Sequence, residues 1–166
     1  MLIGKKETFA VEYELDSNHG EEWMFGKICY WINNIQVGDY ELGTSLRDVL
    51  VAMAFLVPDC GNREGLNLCK LSYEEVFSLL NESIYGGCEN TAAHLLDTPA
   101  RFEAKIPVDV FDQWKIFLID CNSYSTFLYK RIEDKNVRFV RLLQGEFDDV
   151  IRKLYNDLES IYAGVE

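Results

Sequence analysis

The chain has 166 residues, of which 48% are hydrophobic and 13% aromatic. This composition excludes a disordered chain and suits one folded domain over residues 1–166. Lysine and arginine number 16 against 28 aspartates and glutamates, and the net charge is −12. Such a surface repels phosphate backbones and anionic lipids, so it argues against nucleic-acid-binding and membrane-docking proteins and favours a basic protein partner.

The N-terminal third has the pattern of antiparallel β-structure. Residues 9–15 alternate between apolar and polar side chains, which predicts a half-buried strand with carboxylates on its solvated face. Residues 23–32 are rich in aromatic and β-branched side chains and predict a second strand. The asparagines at 33–34 favour a turn, and residues 35–40 return as a third strand.

The spacing of the apolar residues then changes from that of a strand to that of a helix, which predicts a helix. Thr44 or Ser45 is placed to cap a helix that begins at Leu46, and Pro58 ends it. Nearly every residue from 49 to 57 is apolar. A helix that is hydrophobic all round is usually buried, so we expect this one to be covered on most sides.

The middle of the chain predicts a loop and a second helix. Residues 58–70 have loop composition, and Ser72 with Glu75 forms a capping box at the start of the next helix. The glycines at 86–87 end that helix. A short helix over residues 91–96 has a weaker pattern.

The last third predicts strands and a final helix. The strand segments are residues 101–106, 115–121, 123–131 and 137–143. Apolar residues at helical spacing from Phe147 to Ile161 then predict an amphipathic C-terminal helix. The whole pattern indicates an α+β fold: one mainly antiparallel sheet of about six to seven strands, covered by two to four helices.

The cysteines and the N-terminus favour a reducing cytoplasm. An odd number of cysteines without a CxxC pair predicts free thiols and no disulfide framework. The cysteines are Cys29, Cys60, Cys69, Cys88 and Cys121. No signal-peptide pattern follows Met1, and the longest apolar run, residues 49–57, is far shorter than the roughly 20 residues of a membrane span.

The sequence contains no convincing catalytic or metal-binding motif. His19 lies in a polar turn and His94 in an apolar segment, and Cys88 is the cysteine nearest to His94. A zinc site drawn from Cys60, Cys69, Cys88 and His94 lacks the close ligand pairs of structural zinc sites. No glycine-rich phosphate loop is present. We therefore expect no enzyme, no metal and no cofactor.

Residues 25–50 carry a more specific pattern, which includes the segments FGKICYWIN and IQVGDYELGTSLRDVL. Together with residues 9–15 and with the later segments 114–118 and 145–147, it resembles the immunity protein 42 family of bacterial polymorphic toxin systems. The residues that carry the resemblance most directly are Trp31, Gly38, Asp39, Leu42, Gly43, Thr44, Ser45 and Leu46.

The resemblance implies a cytoplasmic protein, not an enzyme, that binds and neutralises a cognate toxin. Such toxins are delivered between competing bacteria by contact-dependent or type VI-like routes, and many are nucleases with basic active sites. An acidic inhibitor is steered toward a basic site. The alternative is a non-catalytic small-molecule or regulatory binding module whose acidity only aids solubility. A cysteine hydrolase using Cys88 and His94 is the remotest candidate.

Exposed acids are the residues that we expect to contact the toxin. The predicted residues are Glu12, Glu14, Asp39 and Glu41, together with Asp148, Asp149 and Asp157 on the solvated face of the C-terminal helix. Tyr124 or Tyr129 would supply an aromatic anchor. The family-motif residues from Gly38 to Leu46, and Trp31, are interpreted as structural parts of a strand-to-helix corner.

Overall fold

The structure is a computed structural model that describes residues 1–86 and 98–164. The fold is α+β, as the sequence predicts. Its strands are β1 Leu2–Gly4, β2 Phe9–Leu15, β3 Phe25–Ile32, β4 Ile35–Val37, β5 Thr44–Ser45, β6 Trp114–Cys121, β7 Tyr124–Arg131 and β8 Arg138–Leu143. Its α-helices are α1 Leu46–Leu56, α2 Tyr73–Tyr85 and α3 Glu146–Tyr162.

The strands form two antiparallel sheets and not one. The N-terminal sheet has the order β1-β2-β3-β4, with β5 also paired to β3, and the C-terminal sheet has the order β6-β7-β8. In the β2–β3 register, Glu12 lies opposite Cys29 and Glu14 opposite Lys27. These two glutamates therefore share the face of the N-terminal sheet that points away from the core.

An aromatic cluster joins the two sheets and α3. The Phe9 ring of β2 lies 5.2 Å from Tyr30, 5.4 Å from Phe127 of β7 and 4.9 Å from Phe147 of α3, measured between ring centroids. All four residues are essentially inaccessible to solvent. A second apolar cluster lies between α2 and the C-terminal sheet, where the Phe77 and Phe117 rings are 5.0 Å apart.

The caps that the sequence predicts are confirmed. Ser45 Oγ accepts a hydrogen bond from the Asp48 backbone N–H at 3.1 Å, at the start of α1. Ser72 and Glu75 form both hydrogen bonds of a capping box at the start of α2. The Asn33–Asn34 turn is also confirmed, since both residues have positive φ.

Two predicted elements differ from the structure. The strand expected over 101–106 is instead the end of a 3₁₀ helix, Pro99–Phe102, followed by an isolated bridge between Glu103 and Phe117. Pro99 lies at the start of this helix, where its fixed φ favours a helical turn. The third strand ends at Val37, since Gly38 takes φ +106° with the Phe111 ring packed against it. The helix expected over 91–96 lies outside the described residues.

The expectation that α1 is buried on most sides is wrong for its outer face. Val51 is 61% exposed and Phe55 76% exposed, whereas Val49 and Met53 on the inner face are fully buried. Within residues 1–86 and 98–164, no helix is long and apolar enough to cross a lipid bilayer.

The expectation of five free thiols is wrong for one pair of cysteines. Cys69 and Cys121 form a disulfide, with their Cα atoms 6.0 Å apart. The loop after α1 runs beside the end of β6, where the Gly65 N–H donates to the Asp120 carbonyl at 3.2 Å, and this contact brings the two sulfurs together. Cys29 and Cys60 are free and buried, and Cys88 lies outside the described residues.

Candidate functional site

Glu12 and Glu14 lie on the outer face of the N-terminal sheet, but their surroundings differ. Glu12 Oε2 accepts hydrogen bonds from Lys6 Nζ at 2.7 Å and from Trp31 Nε1 at 2.6 Å. Lys6 Nζ also lies 3.8 Å from the centre of the Trp31 ring. Glu14 is exposed and accepts only a 3.3 Å hydrogen bond from the Tyr40 hydroxyl. Glu12 is therefore tied into the sheet, whereas Glu14 faces solvent.

The hydrogen bond from Lys6, aided by the one from Trp31, holds the pKa of the Glu12 carboxyl below its usual value. A depressed carboxyl pKa stabilises the folded state above the unfolded-state pKa, and this stability is lost as pH falls through the folded-state pKa. We expect Glu12→Gln to lower the free energy of unfolding at pH 7 by up to about 1 kcal/mol, with no difference from wild type in strong acid.

Urea unfolding of both proteins between pH 7 and pH 2 measures this difference. Glu14→Gln is the matched control, since Glu14 lies on the same strand face and forms no ion pair with the residues that the structure describes; it should leave stability nearly unchanged. A Glu12→Gln deficit that persisted at pH 2 would contradict the electrostatic explanation.

Asp39 and Glu41 lie next to one another at the surface, where β4 turns toward α1. Asp39 is exposed, and its backbone N–H donates to the Val110 carbonyl at 2.8 Å. Glu41 accepts a 2.6 Å hydrogen bond from Lys27 Nζ while 79% of its side chain stays accessible. Both carboxylates are therefore available to a partner.

The three acids predicted on α3 do not share one solvated face. Asp148 is only 5% exposed and pairs with the fully buried Arg63, so its placement on the solvated face is wrong. Asp149 is exposed, and Asp157 is half-buried beside Tyr13. Burial raises the pKa of the Tyr13 hydroxyl, and the nearby Asp157 carboxylate raises it further.

The structure also separates the α3 acids from those on the N-terminal sheet. Helix α3 packs on the inner face of that sheet, against Val11 and Tyr13 of β2. Glu12 and Glu14 alternate with these residues and point to the opposite face. The seven predicted acids therefore do not form one contact surface.

The tyrosines predicted as anchors have limited accessibility. Tyr129 is 1% exposed, so its prediction as an anchor is wrong. Tyr124 is half-buried, with the Arg141 guanidinium 4.8 Å from its ring centre.

The family-motif residues form the corner, which we define as residues 38–46. Gly43 has φ +71°, Thr44 pairs with Gly26 of β3, and Leu46 is fully buried. Ser45 Oγ donates to the Trp23 carbonyl at 2.7 Å while also capping α1. The corner thus holds the segment around Trp23 against the start of α1. Trp31 is half-buried on β3, and Leu42 is 56% exposed.

Sequence reasoning missed an exposed apolar surface beside the corner. Trp23 and Phe25, which are 49% and 45% exposed, stack with 6.2 Å between ring centroids and 6° between planes. The Arg47 guanidinium lies 3.9 Å from the Trp23 ring centre, and Val51 and Phe55 follow at four-residue spacing along α1. We name these five residues the aromatic row. The absence of a polar side on α1 is the sequence signal that could have indicated it.

Acids surround this surface. A shallow depression next to the aromatic row is lined by Trp23, Phe25, Thr44, Ser45, Asp48, Pro107, Val108 and Asp109. A second is lined by Asp16, Phe25, Gly26, Leu42, Gly43, Thr44 and Ser45. Both open onto the corner, so the exposed aromatic rings and the carboxylates share one side of the molecule.

The described residues offer little catalytic chemistry. Burial raises the pKa of the Cys29 thiol to about 12 and that of Cys60 to about 11, so both thiols stay protonated at neutral pH. His19 is hydrogen-bonded through Nδ1 to the Glu21 carbonyl in a surface turn. No cluster of metal-ligating side chains occurs within residues 1–86 and 98–164. Cys88 and His94 lie outside these ranges.

The sequence profile of the immunity protein 42 family matches residues 1–157. The chain belongs to this family. Its fold is similar to the crystal structure of CdiI from Burkholderia dolosa AUO158, with a TM-score of 0.73 and 18% identity, covering 95% of this chain and 99% of that chain. At this identity the likeness shows a shared fold. No curated protein matches the chain significantly.

The immunity protein 42 match includes the corner, the aromatic row and most of α3. Family membership assigns the chain the role of an immunity protein that neutralises a toxin. The chemistry available on the described surface agrees with a binding role: exposed aromatic and carboxylate groups are present at the corner, and the free thiols described are buried and protonated.

Proposed function

We propose that this immunity protein neutralises its cognate toxin by stoichiometric binding, without catalysis. The observation that carries the proposal is the family match over residues 1–157. The surface supports it, because large exposed apolar side chains lie beside carboxylates around the corner, and protein interfaces combine an apolar centre with a polar rim.

The charge of the chain favours a basic toxin domain. Between residues 14 and 48 the sequence has seven acids and two basic residues. Both basic residues are already paired in the structure, Lys27 with Glu41 and Arg47 with Asp48. A nuclease domain, whose active site must hold phosphate, would meet this surface with opposite charge. In this proposal Glu14, Asp39 and Glu41 steer association.

The small-molecule alternative has one supporting feature. A cavity of about 320 Å³ lies between the start of α2 and the C-terminal sheet, next to the Cys69–Cys121 disulfide. Its lining includes the apolar side chains Leu68, Leu71 and Val76. The volume is at the lower end for ligand sites, and the described lining contains no group of convergent buried polar side chains. Binding of a toxin is therefore the better-supported function.

Co-expression tests the proposed function. The probe is the C-terminal domain of the toxin encoded by the neighbouring reading frame, expressed in a sensitive host with and without this protein. We expect growth to be restored only when both are present, and a one-to-one complex with an inactivated toxin domain on size-exclusion chromatography. Equal killing with and without the protein would overturn the proposal.

Association kinetics separately test whether the acids of this surface steer the toxin domain toward it. We expect the association rate with the inactivated toxin domain to fall steeply as salt rises, since screening shortens the Debye length from about 10 Å at 0.1 M to about 3 Å at 1 M. The triple variant Glu14→Gln, Asp39→Asn, Glu41→Gln should associate more slowly at low salt. A salt-independent rate would exclude steering while leaving the neutralising role intact.

A further inference from the structure

Helix α1 is apolar on both of its faces, yet the structure covers only one of them. Its inner face, with Val49 and Met53, is packed in the main core. Its outer face presents Val51 and Phe55 to solvent at 61% and 76% exposure. Arg47 and Asp48 are the charged residues of this helix, and both belong to its first turn. Helices of this composition are normally enclosed, but within residues 1–86 and 98–164 no segment covers the outer face of α1.

The outer face continues into the stacked pair formed by Trp23 and Phe25. Arg47 bridges the two parts, because its guanidinium lies over the Trp23 ring. From Arg47 to Phe55 the helix rises about 12 Å, and the Trp23 and Phe25 rings, 6.2 Å apart, extend the row beyond Arg47. A row of this length suits a standard interface, which buries roughly 800 Å² on each partner.

The aromatic row is held in place before any partner arrives. Ser45 Oγ donates to the Trp23 carbonyl at 2.7 Å, and the Leu46 N–H donates to the Met24 carbonyl at 2.9 Å. Met24 itself is 2% exposed and anchors the segment in the core. A preformed surface loses little conformational entropy on binding, and tryptophan and arginine are the side chains most enriched among interface hot spots.

The charges around the aromatic row identify the kind of partner. Glu21 and Glu22 flank Trp23 and are exposed, Asp16 lines the depression next to Phe25, and Asp48 keeps 56% of its side chain accessible. Arg47, the basic member of the row, is paired with Asp48. A second copy of this chain would bring the same acids to this surface, and the two copies, each with a net charge of −12, would repel one another. A basic protein would not meet this repulsion.

We propose that the aromatic row is the surface on which the cognate toxin docks, with an apolar patch of the toxin against Val51, Phe55 and Trp23 and basic toxin residues against the surrounding acids. This inference rests on the proposed function, since it locates the binding that the function requires. It places the main contact on α1 and the Trp23 segment, and gives the sheet-face acids Glu12 and Glu14 at most a peripheral part.

The test compares two exposed apolar residues of almost equal accessibility. Phe55→Ser removes the end of the aromatic row, and Leu143→Ser, on β8 at 75% exposure, is the matched control. Affinity for the inactivated toxin domain is measured by titration calorimetry, and circular dichroism with thermal melting checks the fold. We expect Phe55→Ser to weaken binding at least about tenfold, and Leu143→Ser to leave it unchanged.

Two further variants keep the test decisive if Phe55→Ser is unstable. Phe55→Leu retains an apolar side chain and should bind more tightly than Phe55→Ser, whereas Val51→Asp should abolish protection in co-expression. If wild type protects and every row variant binds with wild-type affinity, the location is wrong while the proposed function stands. If wild type itself neither binds nor protects, the proposed function fails first.

Light scattering of the free protein tests whether a second copy of this chain, and not the toxin, covers the aromatic row. We expect a monomer at micromolar concentration, because the acids around the row repel a second copy. A dimer that Phe55→Ser converts into monomers, with toxin affinity unchanged, would show that another copy of the chain covers the row and would overturn the inference.

Discussion

Asp148→Asn is expected to lower the free energy of unfolding by about 3–5 kcal/mol, because it leaves the Arg63 guanidinium buried without its counter-charge. Arg63 is completely inaccessible, and its Nη1 donates to Asp148 Oδ1 at 2.9 Å. Removing one partner from a buried ion pair leaves a charge that neither solvent nor protein compensates. The effect should therefore far exceed that of any exposed acid.

The surrounding contacts explain why the pair matters for the fold. Arg63 also donates to the Asp59 and Leu56 carbonyls at 3.1 and 3.2 Å, and Asp148 Oδ2 accepts from the Gly61 N–H at 2.7 Å. The two side chains thus fasten the loop that follows α1 to the first turn of α3. The Arg63 Nε–H has no hydrogen-bond partner within the described ranges, so the network is already incomplete by one donor.

The neighbouring Asp149 supplies the control. It lies in the same helical turn but is exposed, so Asp149→Asn should change stability by no more than about 0.5 kcal/mol. The double variant Arg63→Met, Asp148→Leu should recover most of the loss, since buried ion pairs are often replaceable by apolar residues of similar volume. Urea unfolding measures all three; a small loss in Asp148→Asn, equal to that of Asp149→Asn, would contradict the explanation.

Removal of the Cys69–Cys121 disulfide is expected to be the other large effect. The bridge joins residues 52 positions apart, and closing a loop of this length restricts the unfolded chain enough to contribute up to about 4 kcal/mol at 25 °C. We expect Cys69→Ala to lower the melting temperature, and dithiothreitol to lower that of wild type by a similar amount.

The variant Cys69→Ala also serves as the control for nonspecific effects of the reductant. Dithiothreitol should leave the melting temperature of Cys69→Ala unchanged, because that variant has no bridge to reduce. Peptide mapping after alkylation without reductant should find Cys69 and Cys121 protected, and the buried Cys29 modified once the chain is unfolded. Full alkylation of Cys69 and Cys121 in the unreduced protein would contradict the disulfide.

The elements that depend only on residues close together in the sequence could be predicted from the sequence. The alternation over 9–15 correctly placed Glu12 and Glu14 on the outer face of β2, because side-chain direction in a strand repeats every two residues. The caps at Ser45 and Ser72 were predictable for the same reason, since the donor and acceptor lie three residues apart. The Pro99–Phe102 turn was missed because the composition of residues 101–106 also suits a strand, although the only bridge described there joins Glu103 to Phe117.

The candidate site was less predictable. The resemblance correctly indicated the immunity protein 42 family, and the contact roles of Glu14, Asp39 and Glu41 stay predictions. Periodicity placed Asp148 among solvated acids, although its partner Arg63 lies 85 residues earlier in the chain. The exposed side of α1 was missed because its apolar composition is also that of a buried helix.

The sequence by itself determined most of the element types, the capping signals, the net acidic charge and the family, all of which rest on residues close together or on composition. Only the tertiary structure decided that the strands divide into two sheets, that Cys69 meets Cys121, that Asp148 is buried against Arg63, and that Phe55 is left uncovered beside Trp23. These are contacts, or missing contacts, between distant segments. Burial and pairing there depend on how the whole chain packs, which no local pattern specifies.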